Sequence, residues 1–316
     1  MTTILPPSLA TGLSVMLNRS FLSPYSASLF LSICVGLASL QAQESSQNLI
    51  SLWPQAAPGE TTQNPGEALP RRPDENPPAT RIGKITQPQL EVYVPESPSR
   101  NVAVLICPGG GYSYVVRDKE GEEPARWLNQ QGITAFVLRY RTKERTDSVE
   151  QHYPKALQDS QRALQWIRSN AHQWGLKQPR IGIMGFSAGG HLATLTEVQQ
   201  KLTYEGSDDI AKAPFGVDFA MLIYPAYLWN TKEESLLREA MPQASAPPTF
   251  IVHTHDDGLS SLGPISFYAE LKKRKVPSEI HVYQNGGHGY GIRPVEGSSI
   301  HTWIEPAERW LNLILK

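Results

Sequence analysis

Strand-length apolar runs alternate with helical stretches along most of this chain. That alternation predicts an α/β fold: a mostly parallel central sheet with helices on both faces. Two observations carry the expectation. Apolar runs recur at 90–94, 102–107, 133–140, 180–184, 219–224, 249–254 and 279–283, and several are apolar on both faces, as strands of a covered parallel sheet are. Segments at 122–131, 153–174, 188–200, 265–275 and 300–315 repeat apolar residues at helical spacing. In the clearest, 153–174, Ala156, Leu157, Ser160, Ala163, Leu164 and Ile167 share one face.

Composition narrows the class. A chain of 316 residues that is 40% hydrophobic can bury one large core. Lys+Arg 29 against Asp+Glu 30 leaves no basic field, so nucleic acid is not an expected partner. Two cysteines exclude a disulfide scaffold and a Cys-rich zinc module.

The first element in order is a leader. Residues 29–40 read LFLSICVGLASL, a charge-free run too short for a membrane span of about 20 residues but suited to the apolar part of a secretory signal. Cleavage after Ala42 makes 1–42 a signal peptide and predicts export, secreted or periplasmic, with no stable membrane anchor. Residues 43–88 follow as an arm crowded with Pro and Gly, which favours extended backbone wrapping the domain and supplies no helix. The main domain then occupies 89–316.

Three loops of that domain carry chemistry. The run 180–184 leads into Gly185-Phe186-Ser187-Ala188-Gly189, a G-x-S-x-G element between a strand and a helix. A serine on so tight a turn projects its hydroxyl above the sheet, and the flanking glycines remove side chains that would clash. A hydroxyl needs a base to take its proton, and the glycine-rich loop 285–291 presents one histidine, His288. The strand at 249–254 is followed by Asp256 and Asp257; Asp257, a little further past the strand end, is chosen to orient the histidine, with Asp256 as the alternative. Chain order is therefore Ser187, Asp257, His288. The strand at 102–107 ends in Pro108-Gly109-Gly110-Gly111, where backbone N–H groups can converge on a developing oxyanion. Gly110 and Gly111, with Ala188 after the nucleophile, are the expected donors. Aromatic residues gather at the strand ends, and Tyr112, Tyr227 and Trp229 are expected to meet substrate, the other reading being rim packing.

These residues resemble the α/β-hydrolase superfamily over 89–316. More narrowly, Leu52-Trp53-Pro54, Ala57-Pro58-Gly59-Glu60, Cys107 to Tyr112, Lys119-Glu120-Gly121 and Gly185 to His191 are similar to exported bacterial acetyl-xylan-esterase-like proteins. The resemblance implies a serine carboxylic ester hydrolase acting through an acyl-enzyme on short-acyl esters of carbohydrate such as xylan, with no metal or organic cofactor. After Asp257 the chain reads Gly258-Leu259-Ser260-Ser261 where relatives often carry Val-Pro, so the resemblance does not choose between the two aspartates. A prolyl-oligopeptidase-like peptidase shares the core but normally carries a large extra domain. A xylanase would need paired catalytic carboxylates. A non-catalytic binding relative would not need an intact triad.

Overall fold

The computed structural model describes residues 49–96, 100–142, 144 and 147–316. The expected signal segment 1–42, its cleavage point at Ala42 and the first residues of the arm lie outside them. Eight strands form one sheet: β1 (Leu49–Ser51), β2 (Gln89–Tyr93), β3 (Val102–Cys107), β4 (Thr134–Arg139), β5 (Arg180–Phe186), β6 (Phe219–Ile223), β7 (Thr249–Thr254) and β8 (Ser278–Tyr283). Their spatial order is β1-β2-β4-β3-β5-β6-β7-β8. The first two pairings are antiparallel and the remaining five parallel, as the doubly apolar runs require.

Alternation along β3 shows how the layers are built. Ala103, Leu105 and Cys107 enter one apolar cluster, and Val102, Val104 and Ile106 enter the other. The first cluster is closed by α2 (Val149–Asn170), α3 (Ala188–Val198) and α4 (Leu262–Lys273), through residues such as Leu164, Leu192 and Phe267. The second is closed by α1 (Glu123–Gln130) and α5 (Ile304–Ile314), through Leu128, Trp310 and Leu311. Each fully buried Leu, Ile or Phe contributes about 1.5–3 kcal/mol, so both faces of the sheet are held by its own strand residues.

Helix α2 starts four residues before its expected position. Ser148 and Gln151 form a capping box, each side chain bonding the other's backbone N–H. Pro154, which invites a start beside it, is instead carried inside the helix.

The segment before β2 packs into the domain. Trp53 Nε1 donates to Asp159 on α2 at 3.2 Å. Arg141, fully buried after β4, pairs with the same carboxylate and donates to Pro58 O at 2.7 Å. Further along, Glu67–Ala68, Arg81–Gly83 and Tyr114–Val116 make a small antiparallel sheet that brings this segment beside the loop after β3. Among the described residues no helix is long and apolar enough to cross a membrane.

Candidate active site

The turn from β5 into α3 is set by backbone crowding. A Cβ at Gly189 would sit 1.9 Å from Cys107 O, and one at Gly185 would sit 2.1 Å from Gly189 O. Ser187 between them adopts φ 53° and ψ −120°, a region that non-glycine residues seldom occupy. Its N–H donates to Ile223 O, and its carbonyl accepts from His191 and Ala226, which pins the turn against the end of β6.

From this turn Ser187 Oγ lies 2.7 Å from His288 Nε2. His288 Nδ1 lies 2.6 Å from Asp257 Oδ2. The Asp257 side chain is fully buried, and its other oxygen accepts the Leu259 N–H at 2.8 Å. Asp256 turns the other way and accepts the N–H groups of Gly287 (2.9 Å) and Gly286 (3.2 Å). These bonds, that from Gly287 foremost, hold its carboxyl below the usual range. The three expected catalytic residues are thus brought together, and the two aspartates separate by role. His253, near the end of β7, also faces Asp257, with Nε2 3.6 Å from Oδ2. Burial lowers its pKa and favours the neutral ring.

The glycine loop after β3 borders the same cleft. The Gly109 N–H is engaged by Glu120 Oε2 at 2.8 Å, so it is not a donor for an oxyanion. Gly110 (φ 135°) and Gly111 (φ 61°) line the cleft with Ser187, and among the described residues their N–H groups meet no protein acceptor. Ala188 opens α3, and a first-turn N–H has no acceptor within its own helix. The expected donors thus stand beside Ser187. The loop is fastened from below, where Tyr140 Oη donates to Pro108 O at 2.7 Å.

Of the expected substrate contacts, Tyr227 lines the cleft but Tyr112 does not. The positive φ of Tyr112 (63°) turns its ring inward, where it is fully buried with its hydroxyl 2.8 Å from His191 Nδ1. It is a packing residue under the loop. Trp229 belongs to a two-residue ribbon paired with Ser235–Leu236 and is not among the cleft walls.

Glu120 is the residue that sequence reasoning left without a role. It sits in a π-helical turn, Asp118–Glu122, that runs into α1. Its second oxygen accepts from Tyr224 Oη at 2.9 Å, and that hydroxyl accepts the Gly291 N–H at 2.9 Å. One buried carboxyl therefore ties the glycine loop to the histidine loop. Burial raises its pKa, more than its hydrogen bonds lower it. The only sequence signal was its place in Lys119-Glu120-Gly121.

The cleft has a volume of about 550 Å³. Its outer wall is charged: Glu75 lies between Arg81 (2.7 Å) and Lys119 (3.3 Å). Burial alone would raise the Glu75 carboxyl, but the Arg81 hydrogen bond and the Lys119 charge together lower it.

Residues 90–218 match the BD-FAE family. The chain is 27% identical over 230 residues, 65% of its length, to an acetylxylan esterase of Xylanibacter ruminicola, and it spans 44% of that relative. A solved structure, an acetyl ester-xyloside bifunctional hydrolase from Caldicellulosiruptor lactoaceticus, superposes with a TM-score of 0.65 at 26% identity, covering 84% of this chain and 96% of the other. An alpha/beta hydrolase enzyme from a Medee basin deep-sea metagenome library superposes with a TM-score of 0.58 at 28% identity, over 72% of this chain and 93% of its own. Sheet order, the tight turn at Ser187 and these likenesses agree: the chain has the α/β-hydrolase fold, and it is similar to acetylxylan esterases.

Proposed function

We propose that this chain is an exported serine esterase that removes short acyl groups, acetyl above all, from carbohydrate such as xylan. The observation that carries the reading is the connected set Ser187 Oγ, His288 and Asp257, at 2.7 and 2.6 Å, in a cleft that Gly110 and Gly111 also line. The acetylxylan esterase relative supports the substrate class. The charge-free run at 29–40 supports export.

Ser187 Oγ attacks the acyl carbon while His288 Nε2 takes the hydroxyl proton, and Asp257 holds Nδ1–H so that Nε2 is the basic nitrogen. The tetrahedral oxyanion rests on the N–H groups of Ala188, Gly110 and Gly111, one such donor being worth about 2.7–4 kcal/mol in comparable sites. The carbonyl reforms, the ester C–O bond breaks, and His288 gives its proton to the departing alcohol. Water, deprotonated by the same nitrogen, then attacks the acyl-serine and releases the acid and the free hydroxyl.

The test is hydrolysis of 4-nitrophenyl acetate and of acetylated xylan by the wild type and Ser187→Ala. Activity on neither substrate sinks the reading, and undiminished activity in the variant sinks the serine mechanism. Mass spectrometry of the exported protein checks whether the chain begins at Gln43.

A further inference from the structure

The cleft that holds Ser187 and His288 is also lined by three cations, Arg72, Arg81 and Lys119, and by two carboxylates, Glu75 and Glu120. Glu75 is already paired with Arg81 and Lys119, and Glu120 is occupied by Gly109 and Tyr224. Arg72 differs. Its exposed guanidinium donates to Tyr114 Oη at 2.9 Å, and among the described residues it has no carboxylate partner. Tyr114 itself lines the cleft, with the Arg81 guanidinium 5.8 Å from its ring centroid. An aromatic ring beside an unneutralised, forked donor can take a sugar face and a carboxylate together. The excess of one positive charge suits a monoanion.

We propose that Arg72 and Tyr114 form a subsite for an acidic sugar, so that the preferred substrates are acyl esters on glycans bearing a uronic acid near the ester. This rests on the esterase reading above. Arg72 acts through the bound glycan and not on the reacting atoms, so its effect falls on discrimination between substrates. The surface route of 67–83, fixed by pairing of Arg81–Gly83 with Tyr114–Val116, is what brings Arg72 to the site.

The test compares kcat/KM on two acetylated xylo-oligosaccharides of equal length, one with a glucuronic acid branch, for the wild type, Arg72→Gln and Arg72→Lys. The wild type is expected to favour the acidic substrate by roughly 3- to 10-fold at low salt. That ratio should shrink toward one as salt rises to about 0.5 M, since the pair is exposed. It should collapse in Arg72→Gln and persist in part in Arg72→Lys. Because the readout is a ratio within one protein preparation, a general loss from misfolding cancels. Equal rates on both substrates, or a ratio unchanged in Arg72→Gln, overturn the subsite and leave the esterase standing. Hydrolysis of neither oligosaccharide nor 4-nitrophenyl acetate overturns both.

Discussion

Asp256 and Asp257, adjacent in the chain, hold one loop in two ways. Asp257 reaches the His288 ring at 2.6 Å, while Asp256 binds the backbone N–H groups of Gly286 and Gly287 that precede it. One aspartate meets the imidazole side chain, and the other meets the backbone of the loop that carries it.

Separate roles predict separate defects. Asp257→Asn should lower kcat by about 10³–10⁴-fold with KM little altered, because the ring is then held in the wrong tautomer. Asp256→Asn keeps an acceptor for one glycine N–H and should cost about 10-fold in kcat or less. Steady-state kinetics on 4-nitrophenyl acetate decide it, and a larger loss in the Asp256 variant would reverse the assignment.

Glu120 makes the corresponding link on the other side of the site. Glu120→Ala leaves the Gly109 N–H and the Tyr224 hydroxyl without their buried acceptor, at a cost of about 2–4 kcal/mol in unfolding free energy. Burial raises the carboxyl above its usual 4.5, so the folded protein holds this proton more tightly than the unfolded chain does. Stability is therefore lost as pH climbs from about 4.5 toward the raised folded value. Urea titrations at several pH values should show that component missing in Glu120→Gln.

The strands, their parallel pairing and the meeting of Ser187, His288 and Asp257 were legible because each leaves a local trace. Doubly apolar runs, the G-x-S-x-G turn and a histidine among glycines are all written within about ten residues. Glu120 and Arg72 were not legible, because their roles arise from contacts made across the fold. Gly109 and Tyr224 are 11 and 104 positions from Glu120, and Tyr114 is 42 from Arg72. Tyr112 misled for a related reason: an aromatic next to a glycine loop reads as a surface residue until the sign of its φ is known. The arm before β2 showed its composition but not the pairing of Arg81–Gly83 with Tyr114–Val116, since two three-residue strands carry no periodicity.

His191 is a buried residue of the first turn of α3, just after Ser187, and burial drops its pKa from 6.5 to about 3. The unfolded chain binds this proton below about pH 6.5 while the folded protein refuses it, so the neutral ring's stability is present above 6.5 and lost as pH falls toward 3. His191→Asn, which retains a polar partner for Tyr112, should flatten the unfolding free energy over that window by about 1.4 kcal/mol per pH unit. Denaturant melts between pH 4 and 7 read the slope, and identical slopes in the two proteins would discount the burial argument.

The glycine loop offers a sharper contrast, because Gly110 and Gly111 are neighbours with different room. A Cβ at Gly110 would lie 2.0 Å from Tyr114 O, on a backbone with φ 135°. One at Gly111 would find its nearest neighbour, the Tyr227 hydroxyl, at 3.5 Å, leaving only the strain of φ 61°. Gly110→Ala must therefore displace the loop and withdraw its N–H from the oxyanion, for a loss of about 100-fold in kcat. Gly111→Ala should cost about 1 kcal/mol of stability with a smaller effect on turnover. Since KM for a small acetyl ester depends little on the oxyanion, the Gly110 defect should fall on kcat. Wild-type kcat in both variants would mean that neither N–H faces the reacting carbonyl, and the donor would then have to be sought at Ala188.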